Sequence, residues 1–190
     1  MLLLMLKEKL LGSNLCKMYI LKKAYVFESD VNNLKYLLKH KALVYKAGRQ
    51  IDVPRMQLLK HDLSKFSPTE WNTYKEKFHT TDVVTPKEQK AFRKAVDTHH
   101  YPKNKHHVKH WGSVDKMPYK YKVEALSDWY SVNKSLGKTN LSFKDWFRTA
   151  RVRGKLGGMD NQTLDKVDRL FKRNDRNALN KAVSNYTRRY

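Results

Sequence analysis

A single cysteine, few acids and no long apolar run mark this chain of 190 residues. The lone Cys16 excludes an intramolecular disulfide and fits a reducing compartment, the cytosol by default. The opening MLLLML meets charges at Lys7, Glu8 and Lys9, so it is too short to span a bilayer and has the wrong charge order for a secretory signal. It reads as a frayed helix, or as an upstream extension if translation starts at Met5 or Met18; no membrane span is expected. No segment alternates in the manner of a strand, and there is no internal repeat or low-complexity linker.

Acids are scarce: 18 Asp plus Glu face 40 Lys plus Arg, a formal charge of +22 with neutral histidine. The excess is spread out, +14 over the first 140 residues and +8 over the last fifty. A field of this sign and size draws polyanions, so nucleic acid, nucleotides and anionic lipid are the partner classes, beside a plain role in solubility. Hydrophobic residues make up 40% of the chain and aromatics 12%, enough for a real core, which excludes wholesale disorder. The length suits one domain with an appendage.

What the sequence does contain is helix punctuation. Ser67-Pro-Thr-Glu70, Thr85-Pro-Lys-Glu88 and Ser142-Phe-Lys-Asp145 each place a hydroxyl three residues before a carboxylate, the pattern of a capped helix start. Asp52-Val-Pro54 and Lys116-Met-Pro118 predict two further starts, and the Tyr101-Pro102 step and Gly157-Gly158 predict stops. Apolar residues follow the helical period at Leu34, Leu37, Leu38; Met56, Leu59, Leu63, Phe66; Phe92, Ala95, Val96; Val123, Leu126, Tyr130; and Leu164, Val167, Leu170, Phe171. The expectation is an all-α bundle of roughly seven or eight helices. It divides into an N-terminal extension over 1–30, a helical domain over 31–140 and a basic helical extension over 141–190.

Eight histidines are present, five of them in THHYPKNKHHVKHW. His40 stands with Leu37 and Val44 on the core side of its helix. His61 and Asp62 are adjacent near the end of the Met56–Phe66 pattern, where neighbours point about 100° apart and embrace one point only across a crevice. Asp128 lies near Ala125 and Val132, with Glu124 one turn earlier. His99 continues the Phe92, Ala95, Val96 stripe inward while His100 projects to one side. His106 and His110 have the i, i+4 spacing with which two imidazoles share a metal, and without cysteine the set is no zinc finger.

In order, His40, His61-Asp62, His99/His100, His106/His107 and Asp128 resemble the HD-domain superfamily of metal-dependent phosphohydrolases. More closely, KYLLKHKALVYKAG, HDLSKFSPTEW, HHYPKNKHHVKHW and EALSDWY resemble a family of small phage and bacterial proteins that is a compact relative of it. The resemblance spans about residues 31 to 135 and implies a metal set of His40, His61, Asp62 and Asp128, with Asp62 bridging where two ions bind. It implies further ligands among His99, His100, His106 and His107, and a phosphate-binding Lys65. Asp62 and Lys65 are then the catalytic residues, with Lys103 and Lys105 beside the phosphate of a small anionic substrate, a nucleotide or other phosphate ester. Mixed His/Asp ligation suits Mn, Fe, Co, Ni or Zn better than Mg alone, and the location implied is the cytoplasm, that of the host if the chain is phage-encoded. The alternative is a non-enzymatic nucleic-acid-binding protein with Arg148, Arg151, Arg153, Arg169, Arg173 and Arg188 on phosphates and a structural histidine cluster.

Overall fold

A computed structural model describes residues 14–78, 85–156 and 158–187. The opening apolar stretch, Gly157 and Arg188, each the subject of an expectation above, lie outside the described residues. Helix α1 covers Asn14–Gly48 and leads through a 3₁₀ turn, Arg49–Ile51, to α2, Arg55–Lys60. A second 3₁₀ turn, Leu63–Phe66, precedes α3, Pro68–Phe78. Helix α4, Pro86–Ala95, passes without a break through a π turn, Val96–His100, into Tyr101–Lys103. Then come α5, Val108–Trp111; α6, Tyr119–Ser135; α7, Phe143–Val152; and α8, Asn161–Thr187. The described residues contain no strand, and none of their helices is long and apolar enough to cross a membrane.

The predicted starts fall where the caps place them. Thr85 Oγ1 accepts from the Glu88 backbone N–H while the Glu88 carboxylate accepts from the Thr85 N–H, a complete capping box, and Ser142 Oγ accepts from the Asp145 N–H. Pro54 and Pro118 stand immediately before α2 and α6. The Tyr101-Pro102 step does not stop its helix, which runs on to Lys103. Pro102 has no N–H to place, and the preceding π turn carries the chain past it, with the Tyr101 N–H on the Val96 carbonyl.

Two expected apolar faces are corrected. Met56, Leu59, Leu63 and Phe66 are all exposed, and the chain buries Leu58, His61, Asp62 and Lys65 instead. The helical period does not run through them, because α2 ends at Lys60 and Asp62 takes a left-handed conformation with φ 54°. On α1, Leu37 is buried but Leu34 and Leu38 are not; the inward stripe is Asn33, Leu37, His40, Val44 and Ala47.

Helices α1 and α6 are the central pair, and one apolar core surrounds their junction. It joins Val44 and Ala47 of α1, Val123 and Leu126 of α6, Phe143, Trp146 and Phe147 of α7, and Leu164, Val167 and Phe171 of α8. The basic C-terminal segment thus contributes large side chains to the same core as the histidine-bearing helices. Arg148–Asp168 and Arg151–Asp165 also link α7 to α8, but such partly exposed pairs are worth about 0–1 kcal/mol each, so burial carries the contact. Phe147, fully buried with its ring 5.6 Å from that of Phe171, is the sharpest probe. Phe147→Ala is expected to cost about 3–5 kcal/mol in urea unfolding; a loss under about 1 kcal/mol would show that α7 and α8 are not integral to the core.

Candidate metal centre

Four elements converge on one buried point. The core-facing stripe of α1 brings in His40, and that of α6 brings in Glu124, Asp128 and Ser131, which fall on one face at i, i+4 and i+7. The break after α2 supplies His61 and Asp62. His61 leaves the helical region with ψ 126°, Asp62 turns left-handed, and this reversal lets two consecutive side chains both face inward. Aspartate is among the few residues that tolerate such a φ, and strained positions of this kind gather at functional sites. The π turn and the loop after it deliver His100, His106 and His107.

The first ligand set is His40, His61, Asp62 and Asp128, all buried. Its distances are close to uniform: His40 Nε2 lies 3.3 Å from His61 Nε2, 3.4 Å from Asp62 Oδ2 and 3.2 Å from Asp128 Oδ1. His61 Nε2 stands 3.5 Å from each of those carboxylate oxygens. Ligand bonds of 2.0–2.1 Å require edges of about 3.4 Å in a tetrahedron and about 3.0 Å in an octahedron, so these five distances suit one ion held between the four atoms. The second set uses the other oxygen of Asp62: Oδ1 lies 3.4 Å from His106 Nε2 and 3.7 Å from His100 Nε2, and His100 Nε2 is 2.8 Å from His107 Nε2. Asp62 Oδ1 and His106 Nε2 are buried with no hydrogen-bond partner. Buried polar atoms are ordinarily satisfied, and a cation between these two atoms, 3.4 Å apart, would satisfy both.

Around these atoms a further layer fixes the rings. Ser131 Oγ donates to the His40 carbonyl, which leaves it to accept from His40 Nδ1 at 2.7 Å. Glu124 Oε1 accepts from His61 Nδ1 at 2.9 Å and lies 3.4 Å from His106 Nδ1, so one oxygen serves a histidine of each set; Gln57 holds its other oxygen. Glu70 accepts from His100 Nδ1 at 2.8 Å through Oε2 and from His99 Nδ1 through Oε1. In His40, His61 and His100 these bonds engage Nδ1 and turn Nε2 toward the centre, the arrangement typical of metal-ligating histidines.

Several expectations need correction. His99 joins neither set: Nδ1 meets Glu70 and Nε2 is 2.6 Å from Lys103 Nζ, while His100 is the buried member. The π turn adds a residue to the helical turn, and this rotation exchanges the two histidines' roles. His110 does not pair with His106, because α5 begins only at Val108; its Nδ1 donates to the Tyr101 carbonyl. Glu70, which reads in sequence as a capping acid, is fully buried with both oxygens on histidines, and Ser67 Oγ donates to the Ser64 carbonyl. Glu124 is visible in sequence only as the residue one turn before Asp128, and Ser131 carries no signal apart from completing that face.

Lys65 is buried with Nζ 2.6 Å from Asp62 Oδ2 and 5.0 Å from the Tyr74 ring centroid. Lys103 and Lys105 are exposed on the histidine loop. Among the candidate arginines, Arg148, Arg151 and Arg173 are tied to Asp168, Asp165 and Asp52, while Arg153 and Arg169 are exposed.

Electrostatics follow from burial set against these pairings. Burial alone would lower the His61 pKa, but Asp62, Asp128 and Glu124 overcome it and raise it from 6.5 to about 10. Asp62 and Asp128 stay ionised despite burial, held well below the usual range by His61 and Lys65 in the first case and by His40 and His61 in the second. Glu124 falls to about 2 against its burial, through His106 and His61. For His107, burial and the neighbouring His106 and His100 outweigh Asp128 and Asp62 and push it down to about 3, leaving a neutral imidazole with a lone pair to give.

At pH 7 these acids favour His61 as a cation, and a divalent ion bound at Nε2 would displace that proton. His61 contributes stability below its ordinary 6.5 that is lost as pH rises through about 10. Glu124 contributes stability above 4.5 that is lost as pH falls toward about 2. Adding Zn²⁺ or Mn²⁺ at pH 7 is expected to release close to one proton per chain from His61, read by calorimetry in buffers of different ionisation enthalpy. At a hundredfold excess over Kd the ion should add about 2.7 kcal/mol to unfolding, and His40→Ala should remove that increment. Metal binding with no proton release would contradict the charge state assigned to His61.

No curated protein and no solved structure matches this chain. Residues 29–173 do match a family model, a span that takes in both ligand sets, Glu70, Glu124 and the α7–α8 part of the core. The chain accordingly belongs to a family of unknown function, DUF5662.

Proposed function

We propose that this protein is a metal-dependent phosphohydrolase, a compact relative of the HD-domain superfamily, acting on a nucleotide or other phosphate ester. The observation that carries the reading is Asp62: a buried carboxylate whose two oxygens face two separate sets of imidazoles. His40, His61, Asp62 and Asp128 would hold one divalent ion, and Asp62, His100, His106 and His107 a second. The mixed nitrogen and oxygen donors favour Mn, Fe, Co, Ni or Zn over Mg alone. Ions bound there supply an activated water near neutral pH and offset charge developing on a phosphoryl group.

The chain's own residues supply the rest. Lys65 is kept charged by Asp62, which outweighs the effect of burial and raises its pKa. It therefore offers a fixed positive charge to a phosphate oxygen rather than a proton to a leaving group. Tyr74 beneath it limits where the ammonium can go. Lys103, joined to His99, and Lys105 stand at the exposed rim to receive an anion, and the overall +22 raises the rate at which one arrives. Glu70 and Glu124 hold ring orientation, and the burial of the centre keeps competing water out.

Purified protein is expected to carry a stoichiometric transition metal in elemental analysis. It should hydrolyse at least one member of a panel of nucleoside phosphates and simple phosphate esters, with activity lost to chelator and restored by Mn²⁺ or Zn²⁺. Asp62→Asn should abolish both metal and activity. Lys65→Met should keep the metal and lower kcat by about 10²-fold, as removal of one preorganised charge does elsewhere. Absence of divalent metal, together with unchanged hydrolysis in Asp62→Asn, would refute the reading. Steeply salt-dependent DNA or RNA binding that chelator leaves untouched would instead favour the nucleic-acid alternative.

A further inference from the structure

The outward face of α1 carries a second apolar stripe. Ala24, Phe27, Val31, Leu34 and Leu38 alternate in steps of three and four, the repeat with which one helix packs along another. At 100° per residue this stripe lies about 130° around the helix from the buried stripe of Asn33, Leu37, His40 and Val44. It does not belong to the core: Phe27 is 72%, Leu34 40% and Leu38 54% exposed. The neighbours of α1 meet it elsewhere, α2 through Lys41 on the Leu59 carbonyl, α3 through Asp30 and α6 through His40. Apolar residues spaced as a packing seam are rare on a surface that is otherwise so charged.

We propose that this face is where two copies of the chain associate, as an antiparallel pair of α1 helices about a two-fold axis. The pattern selects a helix with the same repeat, and a second copy offers one. With Val31 of one copy opposite Leu34 of the other, Phe27 falls opposite Leu38, and each contact occurs twice by symmetry. In that register Glu28 of each copy flanks Lys35 of the other. Both are exposed, and neither forms a salt bridge with another described residue, so two intermolecular pairs form without breaking any within a chain. A parallel register would instead set Lys35 against Asp30, which Trp71 and Lys75 already occupy. The stripe points away from His40, so association leaves the metal centre's own contacts unchanged.

Sedimentation velocity of the full chain, at physiological ionic strength to screen the like charge of the two bodies, is expected to give a two-chain mass. Leu34→Glu combined with Leu38→Glu should reduce it to one chain with helical circular dichroism unchanged, since both positions are exposed. Glu28→Lys alone should weaken association, and adding Lys35→Glu to it should restore it. A one-chain mass for the unaltered protein, or a two-chain mass that survives the double leucine substitution, would overturn the proposal. Failure of the charge exchange to restore association would overturn the antiparallel register.

Discussion

A carboxylate taken out of water costs several kcal/mol unless cations and donors surround it, and Asp62 is only 2% exposed. Its compensation dictates much of the surrounding structure. Lys65 is drawn inside to lie against it, His61 is held as an imidazolium beside it, and the backbone accepts a left-handed turn so that both His61 and Asp62 face the interior. Helix α2 has to end at Lys60 for that to happen, and its Met56 and Leu59 face outward while Leu58 stays in the core. Asp128 is a second buried carboxylate, and its contacts to His40 and His61 hold α6 against α1 and the break after α2 at that level. Removing any one partner would leave an uncompensated charge in a site with little water to screen it.

The same logic repeats one layer out. Glu70 and Glu124 are buried acids that each span two imidazoles, Glu70 with both oxygens and Glu124 with one. Glu124 connects a histidine of one ligand set to a histidine of the other, as Asp62 does from the inside. The two sets are therefore mechanically one unit. The chain's large positive charge lies elsewhere, on the solvated faces, and several of its arginines are spent locking α7 and α8 to acids on the surface.

Much of the centre was legible because its ligands occur as ordered motifs. His40, His61, Asp62 and Asp128 can be picked from sequence, and the structure brings all four together. The misreadings share a cause: a periodicity argument assumes one uninterrupted helix. It fails at Asp62, where a positive φ breaks the phase and turns Met56, Leu59, Leu63 and Phe66 outward, and at the π turn, where one extra residue exchanges His99 for His100. Glu70 was hidden for a different reason. A carboxylate three residues after a serine satisfies a cap in any isolated helix, and only the arrival of α4 gives it two histidines to hold.

The sequence by itself determined the helical class, the helix starts and the chemical identity of the donors, because caps, prolines and side-chain chemistry act over a few residues. Tertiary structure alone decided which nitrogen faces which oxygen, that Asp62 presents one oxygen to each set, and that the basic C-terminal segment belongs to the same core. Those outcomes depend on contacts between residues as far apart as His40 and Ser131, set by how whole helices pack around a buried charge.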